Sequence, residues 1–175
     1  MLIKVLTFLT AACAYFYIRA ENRGSQIGVY LSKPLTVLSI IAIALLIDNP
    51  ISSFYKYLII LGLVFSLFGD IFLMLPSDHF LAGLLIFLIT HLFYSAAFAF
   101  TSEFHYTWYS LVGFVVLYAT GRILFAILKP HLGNFRLLVL VYMIVILTMS
   151  WLAFNRWLST EHHASLLAFA GALFF

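Results

Sequence analysis

The sequence predicts an all-α, polytopic transmembrane helix bundle, and three observations carry that reading. Of 175 residues, 65% are hydrophobic and only 9% are charged, where soluble globular domains carry about 45–50% and about 25%. The apolar residues fall into runs of membrane length, about 20 residues for a helix that crosses the hydrocarbon core. The charged residues collect where those runs stop. The whole chain, residues 1–175, reads as a single integral membrane domain.

Six full runs and a shorter seventh follow in order, at residues 2–18, 35–47, 57–75, 80–100, 106–128, 137–154 and 164–175. The first ends at Arg19-Ala20-Glu21-Asn22-Arg23-Gly24, a charged turn closed by a glycine. The second is short. Its helix is expected to begin near Ser32 as cap, with Pro34 in the first turn, where a missing N–H is tolerated. It ends at Asp48-Asn49-Pro50. Pro76-Ser77-Asp78-His79 separates the third run from the fourth, and so short a loop makes them antiparallel neighbours. Lys129-Pro130-His131-Leu132-Gly133-Asn134 follows the fifth. The seventh amounts to about 18 Å of helix, too little to span. The natural chain is therefore expected to continue beyond Phe175, leaving this one C-terminally incomplete.

The cations set an orientation. Arg19, Arg23, Lys33, Lys129 and Arg136 lie between the first and second, third and fourth, or fifth and sixth runs, against Lys4, Lys56 and Arg156 on the other side. The positive-inside rule then puts the first set in the cytoplasm and the N-terminus outside, in what is expected to be a bacterial inner membrane. Thr10-Ala11-Ala12-Cys13 has a faint likeness to a lipoprotein cleavage box, but further spans follow and the run is read as a retained helix.

Several classes are excluded. The net charge of +3 comes from scattered cations, whereas nucleic-acid binding needs them clustered. The single cysteine, Cys13, permits no intrachain disulfide. No Gly-rich phosphate loop, G-x-S-x-G elbow or C-x-x-C is present. Glu161-His162-His163 lacks metal-ligand spacing, and neither metal nor cofactor is expected.

An ionisable group inside the hydrocarbon costs about 2.5–3.5 kcal/mol on insertion scales, so each one inside a run is a candidate site. Asp70 is the sharpest. Gly62, Ser66, Gly69 and Asp70 recur at helical spacing mid-run, a small-residue face that lets a neighbouring helix approach. The plainer alternative is a protonated, structural aspartate. His91 and Tyr94 lie three apart and share a face with Gly83 and Phe87, which is expected to meet Asp70; a satisfied interior histidine is the alternative. Arg122, with Tyr118 one turn before it, is close enough to the end of its run to snorkel to the interface. Lys33 at the expected start of the second helix makes an anion site suited to a lipid phosphate, or simply an interfacial anchor.

Several of these residues together resemble the YhhN-like lysoplasmalogenase family. The matching pieces are Lys33-Pro34-Leu35-Thr36, Leu67-Phe68-Gly69-Asp70 with Leu73-Met74, and Phe80-Leu81-Ala82-Gly83 with Phe87 and His91-Leu92-Phe93-Tyr94. Val139-Leu140-Val141-Tyr142 with Met149 and Ala153, and Ala170-Gly171-Ala172-Leu173-Phe174, continue it in order over nearly the whole chain. The resemblance implies an eight-helix membrane hydrolase that cleaves the vinyl ether bond of lysoplasmalogens to a fatty aldehyde and a glycerophospho-headgroup. It also implies a Ser-Asp pair, a second intramembrane carboxylate, just beyond Phe175.

The residues suit that chemistry. Vinyl ethers are acid-labile, and two carboxylates in different environments divide the acid and base roles. Asp70 is the first of the pair and fits either role, with His91 and Tyr94 as water-positioning or proton-relaying helpers. Lys33, Tyr142 and Arg122 are the expected substrate-binding residues. The expected partners are a lysophospholipid substrate and membrane lipids, with no nucleic acid. Two rival readings remain: a proton-coupled transporter in which Asp70 and His91 relay protons and Arg122 binds an anion, and a non-catalytic lipid-binding protein.

Overall fold

The computed structural model describes residues 2–48, 50, 52–75, 79–101, 107–160 and 163–173. The regular elements among them are all helical: α1 (Leu2–Asn22), α2 (Gln26–Leu45), α3 (Ser53–Met74), α4 (Phe80–Thr101), α5 (Trp108–Leu128), α6 (Arg136–Thr160) and α7 (His163–Leu173). Two single 3₁₀ turns, Lys129–His131 and Gly133–Phe135, join α5 to α6. Six of the helices are long and apolar enough to cross a membrane, and α7 is a shorter apolar one. Residues Asn49, 76–78, Tyr106, Glu161, His162, Phe174 and Phe175, which enter the sequence reading, lie outside the described residues.

The chain divides into two compact units, Met1–Phe93 and Tyr94–Phe175, with the boundary inside α4. In the first unit α1 and α2 form a tight hairpin. Gly24 takes φ of 66°, a left-handed turn that suits glycine. The Ser25 N–H then donates to the Ala20 carbonyl at 2.9 Å. Ser25 caps α2 by accepting from the Gly28 N–H. A Cβ on Gly28 would come within 2.7 Å of the Ala20 Cβ, so only glycine lets the helices meet there.

This start overturns the expectation that α2 begins near Ser32. The helix begins at Gln26, seven residues before Lys33, because Ser25 caps it there and the Ser32-Lys33-Pro34 break in the apolar run lies inside the helix. Pro34 is an interior residue, not a first-turn one, and its missing N–H leaves the Tyr30 carbonyl without a helical partner. Lys33 is therefore an interior residue of α2 and no helix-start cation, so the anion site expected at a helix start is not formed there.

Three polar contacts tie α2 to α3 as antiparallel neighbours. The Tyr30 hydroxyl donates to the Met74 carbonyl at 2.5 Å, and Lys33 meets Asp70. At the other end Lys56 Nζ donates to the Leu45 and Ile47 carbonyls, each at 2.7 Å, satisfying groups that the end of α2 leaves open. α3 and α4 meet through small residues. A Cβ on Gly69 would lie 2.9 Å from the Phe87 ring, one on Gly83 would strike Leu73, and Phe65 packs on Phe93 with centroids 5.4 Å apart.

In the second unit, Trp151 Nε1–H donates to the Ser110 carbonyl at 3.2 Å, and Gly113 lies beneath the Phe154 ring, linking α5 to α6. α7 packs on α6 through stacked Trp157 and Phe169, whose planes differ by 7°. Ser150 Oγ–H donates to the Ala172 carbonyl at 3.2 Å. α6 runs on to Thr160, six residues past the expected end at Phe154. Asn155 and Arg156 consequently lie inside the helix, each 4% exposed, and Arg156 is not a loop cation.

The Phe154 ring is held by Trp157 and Phe169, so it has little room to yield to a methyl group 2.5 Å away. Gly113→Ala should lower the thermal midpoint in detergent, by the about 1–3 kcal/mol typical of overpacking. Gly171→Ala, with nothing within 4 Å of the added Cβ, should leave the midpoint unchanged. Equal midpoints for Gly113→Ala and wild type would contradict this packing.

Candidate active site

On α3 the small face found in the sequence is the buried one: Leu58, Gly62, Ser66, Gly69 and Asp70 are its buried residues. In a bilayer the association of helices depends on such close approach and on polar contacts, since lipid tails are as apolar as leucine. Asp70 is buried on this face, and its Oδ1 lies 2.9 Å from Lys33 Nζ on α2. The lysine side chain is 29% exposed and the aspartate 11%, so the pair is sheltered with an opening on the lysine side. Ser32 and Ser39 on the same helix are also buried, Ser32 Oγ–H donating to the Gly28 carbonyl at 2.6 Å.

The depth of the pair differs from the mid-run position read from the sequence. Asp70 stands four residues before the last residue of α3, about 6 Å along the axis, and Lys33 about 10 Å from the start of α2. The site lies within two turns of the start of α2 and the end of α3.

His91 on α4 is completely buried, and its Nδ1 hydrogen-bonds the Phe87 carbonyl. A carbonyl only accepts, so Nδ1 carries the proton. The contacts of Gly83 with the Gly69 carbonyl and of Phe65 with Phe93 set the register of α3 and α4. They put His91 nearer the level of Phe65 than of Asp70, so within this register it is Gly83 and Phe87, not His91, that lie close to the Gly69-Asp70 turn.

The other expected site residues belong to the second unit. Tyr94 is buried, at 7% exposure, one turn after His91 on α4. Tyr142 is half-buried and shares a face of α6 with buried Met149, Ala153 and Arg156. Arg122 is exposed on α5 and lines a groove against α6 with Tyr118. Arg156 went unnoticed as an intramembrane charge; the apolar Trp157-Leu158 beyond it was the signal that the helix continued.

Fold and site together define a polytopic, all-helical membrane protein with an ion pair sheltered between two spans. The chain belongs to the YhhN family, whose model matches residues 28–175. It is 30% identical over 159 residues to the uncharacterized membrane protein YhhN of Escherichia coli O6:H1, covering 91% of this chain and 74% of that one. It is 33% identical over 187 residues to human lysoplasmalogenase TMEM86A, covering 98% of this chain and 72% of the relative. The bovine lysoplasmalogenase TMEM86A is 30% identical over 158 residues, covering 86% and 62%. No solved structure matches.

Removing one partner of a sheltered ion pair strands the other charge, at a cost of about 3–5 kcal/mol when burial is full. Lys33→Met and Asp70→Leu should each lower stability in detergent, and the double variant should recover much of the loss. Strictly additive losses across this double-mutant cycle would show that the two side chains are not coupled.

Proposed function

We propose that this protein hydrolyses ether lysophospholipids, cleaving the vinyl ether bond of a lysoplasmalogen to a fatty aldehyde and a glycerophospho-headgroup, with Asp70 at the centre. The observation that carries the reading is the Lys33–Asp70 pair within two turns of a helix end, in a chain whose family includes proteins named lysoplasmalogenase. The vinyl ether oxygen is bonded to the glycerol, so it lies just below the phosphate. A carboxylate at the depth of Asp70 meets that bond, whereas one at the midplane would meet the alkenyl tail.

The reaction begins with a proton added to the carbon β to the ether oxygen, which gives an oxocarbenium ion. Water adds, a proton leaves, and the hemiacetal collapses to aldehyde and glycerol hydroxyl. An ion pair requires the carboxylate form of Asp70, which suits it to stabilise the cation and to accept the proton from the attacking water. The proton given to carbon then comes from a separate acid, the part for which the resemblance implies a second carboxylate. Dividing the two roles between two environments is a general solution for paired carboxylates. Lys33 orients Asp70, and as an ammonium with three donors it keeps others for a phosphate oxygen. His91 is a positioning residue in this scheme. The setting is the plasma membrane of a bacterium, with the Arg19–Gly24 turn on the cytoplasmic side.

The test is aldehyde release from a lysoplasmalogen by the full chain in bilayers. Asp70→Asn should lose about 10²–10⁴-fold in turnover, the usual cost of a positioned acid or base, while keeping its elution profile. Turnover within threefold of wild type would remove Asp70 from the chemistry. Lysolipid binding without aldehyde from the wild type would favour the lipid-binding reading, and proton-coupled uptake the transporter.

A further inference from the structure

We propose that the groove between α5 and α6 binds an anionic phospholipid of the surrounding bilayer, with Arg122 holding its phosphate. The groove has a volume of about 380 Å³, within the range of small-ligand sites. Tyr118, Arg122 and Phe125 on α5 face Leu140, Met143 and Leu147 on α6 across it. Its floor forms where Gly121 lacks a side chain and Leu147 occupies the place. Tyr118 is 56% exposed and Ile144 on the opposite rim 53%, so the groove opens away from the helix pair, on segments long and apolar enough to lie in the hydrocarbon.

A cation in an apolar groove at this depth calls for a counter-charge that carries its own apolar body. Arg122 stands six residues before the end of α5, about 9 Å along the axis, and its stem lets the guanidinium rise toward the headgroups. Lys129 and Arg136, both exposed, bracket the 3₁₀ turns at the same end. Three cations at one end of an apolar groove favour a headgroup with net negative charge over a zwitterionic one, as basic pockets between spans do. The acyl chain then runs along Phe125, Met143 and Leu147.

The experiment compares lipid binding to the full chain by native mass spectrometry and by thermal midpoint. Dioleoylphosphatidylglycerol is the anionic probe and dioleoylphosphatidylcholine the zwitterionic one. Wild type should retain the anionic lipid and gain more stability from it. Arg122→Gln should bind it about fivefold more weakly, the contribution of one cation near a charged surface, and Arg122→Lys should keep most of the preference. Met143→Trp, which fills the groove and leaves Arg122 in place, should also lose the lipid, so the proposal does not hang on one variant. Equal response to the two lipids, or an undiminished preference in Arg122→Gln, would overturn it. So would a dimer that Arg122→Gln dissociates, since a second copy of the chain would then be the occupant. These readouts do not involve turnover, and they stand whether or not the hydrolase reading holds.

Discussion

The ion pair between Lys33 and Asp70 is the constraint on which the first unit is organised. Two charges sheltered in a low-dielectric interior are tolerated only when they meet, and at 2.9 Å these do. Their meeting fixes the register of α2 against α3, since Tyr30 and Met74 join one turn toward the same end. It also requires the glycines. Gly28 brings α2 onto α1, while Gly69 and Gly83 bring α4 onto α3, so the carboxylate is enclosed by spans and kept from lipid. Replacing those close approaches with larger side chains would open the pair to hydrocarbon, where an unscreened charge is most costly.

Depth gives this pair its chemical meaning. In the proposed reaction, a carboxylate near the end of α3 addresses the bonds that join a lipid chain to its glycerol. His91 lies nearer the level of Phe65 and faces the Phe87 carbonyl, a level that the chain would occupy instead of the headgroup. On that proposal, one bilayer gradient divides the residues of the first unit between the polar and apolar parts of the substrate. In the second unit the same gradient acts on Arg122, near the end of α5, which the proposed lipid site makes a partner for phosphate.

The spans were legible because a bilayer imposes one strong requirement, length of apolar helix, and the runs record it directly. The buried face of α3 was also legible, because small residues at helical spacing have few other uses in a membrane. Three things escaped for physical reasons. The apolar-run criterion breaks at Ser32-Lys33-Pro34, inside α2, so Lys33 was put at a helix start when Ser25 already caps the helix at Gln26. It is equally blind to a polar pair inside a helix, so α6 was ended before Asn155 and Arg156. The pairing of Lys33 with Asp70 is a tertiary contact between separate spans, and neither residue carries a local signal of its partner.

The most direct test of the central claim is the isotopic content of the aldehyde that the full chain releases from a lysoplasmalogen in deuterated water. Protonation of the carbon β to the ether oxygen, followed by addition of water to the cation beside Asp70, leaves one solvent deuterium on the carbon next to the aldehyde carbonyl. The account predicts singly labelled aldehyde at the earliest times, before enolisation adds more. Aldehyde released without that deuterium would contradict it, because the bond would then have broken by a route in which no acid acts on carbon.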